Sequence, residues 1–202
     1  MAGMVPDTVD AVPADAPLQP ELPARLREAT RALHALAERS GLMAALLRGR
    51  IDRGAYCALL RNLHAIYAEL ERAGCAALVE PALHRAEALV QDLDHLHGAR
   101  WREQLPLAAA TLAYVERLRT LARGAPRSLA AHAYVRYLGD LHGGQVLRAI
   151  VRCSLGLHGD DPQGTRFYDF GDEARVLALR TAVRRRLAAL PLQAAEQQAV
   201  VD

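Results

Sequence analysis

Apolar residues recur at spacings of three and four along nearly the whole chain from Pro23 onward, the period of amphipathic helices packed on a common core. Pro23 suits a first helical turn, and Leu26, Ala29, Leu33 and Leu36 form the stripe predicted to be buried behind it. Asp52 is placed to cap a helix running to about Ala73, with Tyr56, Leu59, Leu63, Ile66 and Leu70 on its inner face. Pro81 opens another helix, which Gly98 ends, and a further one spans about Leu107 to Arg123 and stops at Gly124. Ser128 to Leu155 reads as one long helix. A connection over 156–171, rich in Gly and Asp, carries Phe167, Tyr168 and Phe170 as inward-turned residues. Asp172 then caps a helix that Pro191 terminates, and a short last helix follows Leu192. No strand pattern and no internal repeat is present. The expectation is an all-α, single-domain, multi-helix fold over residues 21–202, preceded by a disordered tail over residues 1–20, where Pro, Ala and Asp repeat with little large apolar content.

Composition narrows the partners. A chain of 202 residues has ample length for one core, and a formal net charge of +2 implies no general affinity for nucleic acid. No lysine occurs, so basic contacts to a ligand must come from arginine forks. Cys57, Cys75 and Cys153 are odd in number and far apart, which reads as a reduced, cytoplasmic protein. Neither a secretory signal nor an apolar run near the roughly 20 residues of a membrane span is seen, so no membrane anchor is expected.

The stretch YVRYLGDLHGGQVL, Tyr134 to Leu147, stands apart. Tyr134, Leu138, Leu141 and Gln145 keep one helical face, yet Gly139, Gly143 and Gly144 interrupt it, each costing about 1 kcal/mol relative to alanine. Gly139 and Gly143 share a face whose backbone can lie directly against a neighbour, and the Gly143–Gly144 pair is a place for a bend. That neighbour is either another helix or a ligand. Asp140, Arg136, Tyr134 and Tyr137 beside a bare backbone favour a ligand, and the absence of a preceding strand and of a following Lys-Ser/Thr argues against a phosphate loop. A second stripe, Arg27, Arg31, His34 and Glu38, lies on the first helix; His34 is either an ordinary boundary histidine or a ligand whose far ring nitrogen Glu38 holds. Arg180 and Arg184, four apart, are either a solvated face or a clamp for carboxylates. His84, Asp92, Asp94, His95 and His97 invite a metal reading, but most of these side chains are expected to face solvent.

RYLGDLHGGQVL resembles the distal-helix motif of the haem oxygenase family, usually YLGDLSGGQ. LREATRALHALAE, HAIYAELE, LHRAEALVQDL, GARW and an arginine-rich helix near the end extend the resemblance, in order, over nearly all the chain after residue 22. The resemblance implies a haem held between a proximal helix and a glycine-kinked distal helix. By it, His34 is the axial iron ligand, with Glu38 as its partner. Arg27, Arg31, Tyr134, Arg180 and Arg184 hold the haem. Gly139 and Gly143 crowd the distal face, where Asp140, with Tyr67 and Arg136, orders waters that steer oxygen onto a meso carbon. It further implies that haem b is both cofactor and substrate, that O2 is consumed, and that biliverdin, carbon monoxide and ferrous iron are released, with α-meso cleavage. Electrons must come from a separate donor, a ferredoxin or flavin reductase, because no flavin or nicotinamide motif is present. The chain is expected to act as a monomer.

His142 departs from the family's usual serine. It is expected first to point away and pair with a backbone carbonyl, next to join the Asp140 network, and last to ligate iron. Two further classes stay open at this level: a non-catalytic haem carrier or sensor, which needs His34 but not Asp140, and a helical interaction protein with glycine-mediated packing and no ligand.

Overall fold

The computed structural model describes residues 21–73, 80–159 and 161–202; the predicted tail over residues 1–20 and Cys75 lie outside them. Every regular element among the described residues is helical: α1 Leu22–Arg39, α2 Gly41–Leu47, α3 Arg53–Arg72, α4 Ala86–Leu96, α5 Trp101–Gln104, α6 Ala109–Gly124, α7 Leu129–Ala133, α8 Gly139–Leu155, α9 Glu173–Ala188 and α10 Ala194–Val201. Helix α3 is the central strut, packed on α4 and α6, while α1 lies against α2, α9, α10 and the segment just before α8. Tyr56, Cys57, Leu60, Tyr67 and Leu70 of α3 are fully buried, and they meet Leu89 and Leu93 of α4 and Leu118 of α6 in one continuous core. No helix among the described residues is long and apolar enough to cross a membrane.

Local chemistry sets the helix ends where the residue pattern placed them. Asp52 accepts a hydrogen bond from the Ala55 amide at 2.8 Å, and Asp172 one from Arg175 at 2.7 Å, each satisfying an orphan donor of a first turn. Gly98 closes α4 at φ +97° and Gly156 closes α8 at φ +64°, conformations that glycine adopts without strain. The helix expected from Pro81 is split: a 3-10 turn, Pro81–Leu83, precedes α4, and the break falls at His84–Arg85. Its cause is long-range. Glu71 of α3 accepts from the amides of Arg85 at 2.6 Å and Ala86 at 3.1 Å, so a neighbouring helix supplies the cap of α4.

The stripe expected to be buried along α1 is buried only at its first member. Leu26 is buried, but Ala29 is exposed, Leu33 is 70% exposed and Leu36 is 63% exposed. The buried side chains of α1 lie in its first two turns, Leu22 and Leu26, where Arg25 also bonds Gln198 of α10. From Arg31 on, almost every side chain of α1 is open. The histidine- and aspartate-rich segment also differs from expectation at one position: Asp92 is fully buried, accepting from the Arg166 amide at 2.9 Å and the Phe167 amide at 2.8 Å. It is a strut that pins the 156–171 connection, and burial pushes its carboxyl up to about 6 against the pull of those two amides. Asp94 accepts from the Trp101 indole at 2.8 Å. No group of three or more His, Cys, Asp and Glu suited to a metal ion occurs among the described residues.

Candidate functional site

The segment from Ser128 to Leu155 is continuous but not uniform. A 3-10 turn, Pro126–Ser128, leads into α7, and Tyr134–Leu138 is wound as a π-helix before α8 begins at Gly139. The departure from α geometry therefore lies just N-terminal to the three glycines, which themselves sit in regular α-helix. Single π turns inside α-helices shift the register of the side chains that follow and recur at functional sites.

The glycines divide by what lies beside them. A Cβ added at Gly144 would meet Tyr168 Cδ1 at 3.5 Å, so that glycine is packed against the aromatic connection. A Cβ at Gly139 or Gly143 would meet nothing within 4 Å among the described residues. Those two are thus not close-packing contacts between helices; their backbone borders open space. This favours the ligand reading of the pair over helix packing.

Next to Gly139, to the side of that face, stands Asp140. The Tyr67 hydroxyl donates to its Oδ2, joining α3 to α8. Burial raises the Asp140 carboxyl to about 6, although Arg136, the Tyr67 bond and Arg85 all pull it down. Burial lowers Arg136 in turn, but Tyr67, Asp140 and Tyr114 outweigh it and hold that guanidinium above its usual range. Tyr67 is itself raised, by burial first and then by the Asp140 charge. Its ring is fixed by edge contacts with Tyr137 at 5.4 Å and Phe167 at 5.5 Å. The structure thus brings Tyr67, Arg136 and Asp140 together. It adds Arg85, which the residue pattern did not single out. That guanidinium donates to the carbonyls of Ala82, Leu83, His84 and Asp169 and lies 4.1 Å from the Phe170 ring centre. A buried arginine whose partners are carbonyls cannot be told from a surface arginine by spacing.

On α1, His34 Nδ1 lies 3.5 Å from Glu38 Oε1, the pairing anticipated from their spacing, and both side chains are well exposed. Arg27, Glu28, Arg31, Tyr134 and Arg184, with Pro23 and Ala24, line a cleft of ≈ 590 Å³ between α1, the π-wound segment and α9. Arg31 is tied to Glu28 at 2.8 Å. Burial raises the Tyr134 phenol, while Arg184 and Arg27 pull it back. Arg180 does not line this cleft; it is half-buried, and its Nε is enclosed without a hydrogen-bond partner among the described residues. His142 pairs through Nδ1 with the Leu138 carbonyl at 2.6 Å, the kind of partner first expected for it, but its Nε2 meets Arg184 of the cleft at 3.1 Å, so the ring does not simply point away.

An exposed imidazole on one helix, a glycine backbone bordering open space on another, and a mouth rich in arginine make a donor set that fits a flat, dicarboxylate-bearing iron macrocycle. The fold is shared with proteins of that chemistry. A family profile described as Heme oxygenase matches residues 20–202. Heme oxygenase 1 of Synechocystis sp. is 35% identical over 189 residues, covering 90% of this chain and 78% of that protein. Human heme oxygenase 1 is 35% identical over 202 residues, covering 96% and 68%. The crystal structure of heme oxygenase-1 from Synechocystis sp. in complex with heme superposes with a TM-score of 0.82, covering 91% of this chain and 85% of that one. That of heme oxygenase from Leptospira interrogans gives 0.82 at 31% identity, covering 90% and 92%. The chain belongs to the heme oxygenase family. It is a haem-degrading enzyme, with haem as both cofactor and substrate.

Proposed function

We propose that the residues brought together here divide the work of haem degradation among three places. His34, on the open part of α1, would hold the haem iron through its imidazole, and Glu38, 3.5 Å from Nδ1, is placed to orient the ring. Arg27, Arg31, Tyr134 and Arg184 at the cleft, with Arg180 behind them, fix the haem by its propionates. Gly139 and Gly143 leave the distal side free of side chains, so the substrate approaches bare backbone. The observation that carries this reading is the open glycine face with Asp140, bonded to Tyr67, beside it on the same helix turn.

Bound haem supplies both the iron for oxygen activation and the ring that is opened to biliverdin, with release of carbon monoxide and ferrous iron. The protein's share is positional and electrostatic. Tyr67 occupies Asp140 Oδ2 and keeps the carboxyl from rotating, while Arg136 and Arg85 limit the rise of its pKa. A carboxyl held near 6 can exchange a proton at neutral pH, which suits a group that organises waters on the distal side. Cleavage is proposed at the α-meso position, because the clamp arginines stand where the family pattern places its basic residues. Electrons come from a separate ferredoxin or flavin reductase, and the enzyme works as a cytoplasmic monomer. Chromatography of the product tests the regiochemistry: biliverdin IXα is expected, and a β or δ isomer as the main product would contradict the assignment of the clamp.

A further inference from the structure

Arg184 and His142 belong to different helices, α9 and α8, and meet at 3.1 Å between a guanidinium Nη2 and the ring Nε2. The other ring nitrogen faces the Leu138 carbonyl oxygen at 2.6 Å, one turn back along the distal helix. A carbonyl only accepts, so Nδ1 carries a proton; a guanidinium only donates, so Nε2 offers a lone pair. One species alone satisfies both contacts: the neutral imidazole protonated at Nδ1. Its surroundings favour that species. Burial lowers the ring pKa, as do the charges of Arg180 and Arg184 from α9 and Arg27 from α1, against the opposing effect of the Leu138 bond.

Arg184 has much to gain from such an anchor. It is exposed, no carboxylate lies within ion-pair distance of it among the described residues, and it lines the same cleft as Arg27, Arg31 and Tyr134. A free arginine at a cleft mouth samples many rotamers, and each bond to a ligand must then order it. The His142 ring is itself fixed by its backbone bond, so a helix-anchored lone pair holds the fork.

We propose that His142 is a positioning residue whose neutral ring ties Arg184 to the distal helix and so keeps one arm of the haem clamp in register with the Gly139–Gly143 face. The proposal rests on the assignment of Arg184 to that clamp. It gives His142 no contact with iron or oxygen. It also predicts that acidification, by placing a proton on Nε2, turns the contact into a donor facing a donor and releases Arg184.

Nitrogen-15 spectra of the ring in the ligand-free protein, assigned by their loss in His142→Ser, report the first half of this. The Nδ1-protonated neutral form is expected, persisting below the ordinary histidine pKa; the Nε2-protonated form would overturn the proposal. Hemin affinity reports the second half. Serine keeps a bond to its own i−4 carbonyl but cannot reach Arg184, so His142→Ser is expected to weaken hemin binding about two- to tenfold, the span of one hydrogen bond. Arg184→Ala should weaken it at least as much, and the double variant should match Arg184→Ala alone, because His142 acts only through that arginine. His142→Gln, which keeps an acceptor, should recover part of the loss. Independent, additive losses would refute the coupling. Should Arg184→Ala weaken binding while His142→Ser does not, this inference fails and the clamp survives. No effect of Arg184→Ala would remove both.

Discussion

Asp140→Asn is expected to make the haem-free protein more stable at neutral pH, by an amount that grows as the pH rises. The side chain is placed by α8 beside the buried Tyr67 phenol, and its carboxyl is raised from 3.8 to about 6 by burial even after Arg136, Tyr67 and Arg85 have pulled it down. The sign follows from proton linkage. A carboxyl with a raised native pKa favours the folded state when protonated; that contribution is complete below about 4, is lost as pH rises through 6, and is absent above. Asparagine mimics the protonated carboxyl, still accepts from Tyr67, and never ionises. The difference in unfolding free energy between variant and parent should therefore be about 1.5 kcal/mol at pH 5 and approach about 3 kcal/mol at pH 7 and above, taking 1.36 kcal/mol per pKa unit. Urea titrations of both proteins from pH 5 to 8 measure it directly. A variant less stable than its parent at pH 7.5, or a difference that does not grow with pH, would show that Arg136 and Arg85 stabilise the charge more than burial disfavours it. The same substitution should preserve hemin binding and depress biliverdin yield, so an ionised carboxylate held at the site at a cost in stability would be a functional feature.

Gly139→Ala should stabilise the haem-free protein by up to about 1 kcal/mol in thermal or urea unfolding, because the added Cβ meets nothing among the described residues and alanine favours the helix, yet it should slow haem turnover by intruding on the distal face. Loss of stability in that variant would mean that the open space beside Gly139 closes in solution. His34→Ala should leave circular dichroism and unfolding unchanged, since the side chain is exposed, and should abolish turnover in a way that added imidazole partly restores. Full activity without imidazole would assign the axial ligand elsewhere. Asp92→Ala should cost about 2–4 kcal/mol in urea unfolding by leaving the Arg166 and Phe167 amides buried without their acceptor; a loss below about 1 kcal/mol would show that water or another group replaces it.

The helices were legible where local rules govern them. The caps at Asp52 and Asp172 and the stop at Gly98 depend on residues within a turn of the boundary, and they fall where spacing placed them. What escaped depends on the neighbour. The period of Leu26, Leu33 and Leu36 specifies a helix with an apolar face, but only tertiary packing decides how much of that face is covered, and here cover ends after Leu26. The split before α4 arises from Glu71, fourteen residues away from Arg85 in the chain. The π-wound Tyr134–Leu138 is not marked by hydrophobic period: Leu138 and Leu141 are buried as expected, but Tyr134 is half-buried at the cleft and Gln145, expected on the same face, is exposed. The site divides the same way. The nearness of His34 to Glu38 follows from a spacing of four and Asp140 with its glycines stands out as one contiguous motif, while the ligand role proposed for His34 rests on the family resemblance. Arg85, whose guanidinium serves four carbonyls, had no pattern to betray it.

One optical experiment tests the haem chemistry most directly. Purified protein is loaded with hemin, and ascorbate or a reductase with its reductant is added under air while the absorption spectrum is followed. The expected course is a Soret band on loading, then its decay with growth of the broad long-wavelength absorption of biliverdin, and release of carbon monoxide in equal amount. A Soret band that forms and then persists under reductant and air would contradict the account, leaving a haem-binding fold without the chemistry assigned to Asp140 and the glycine face.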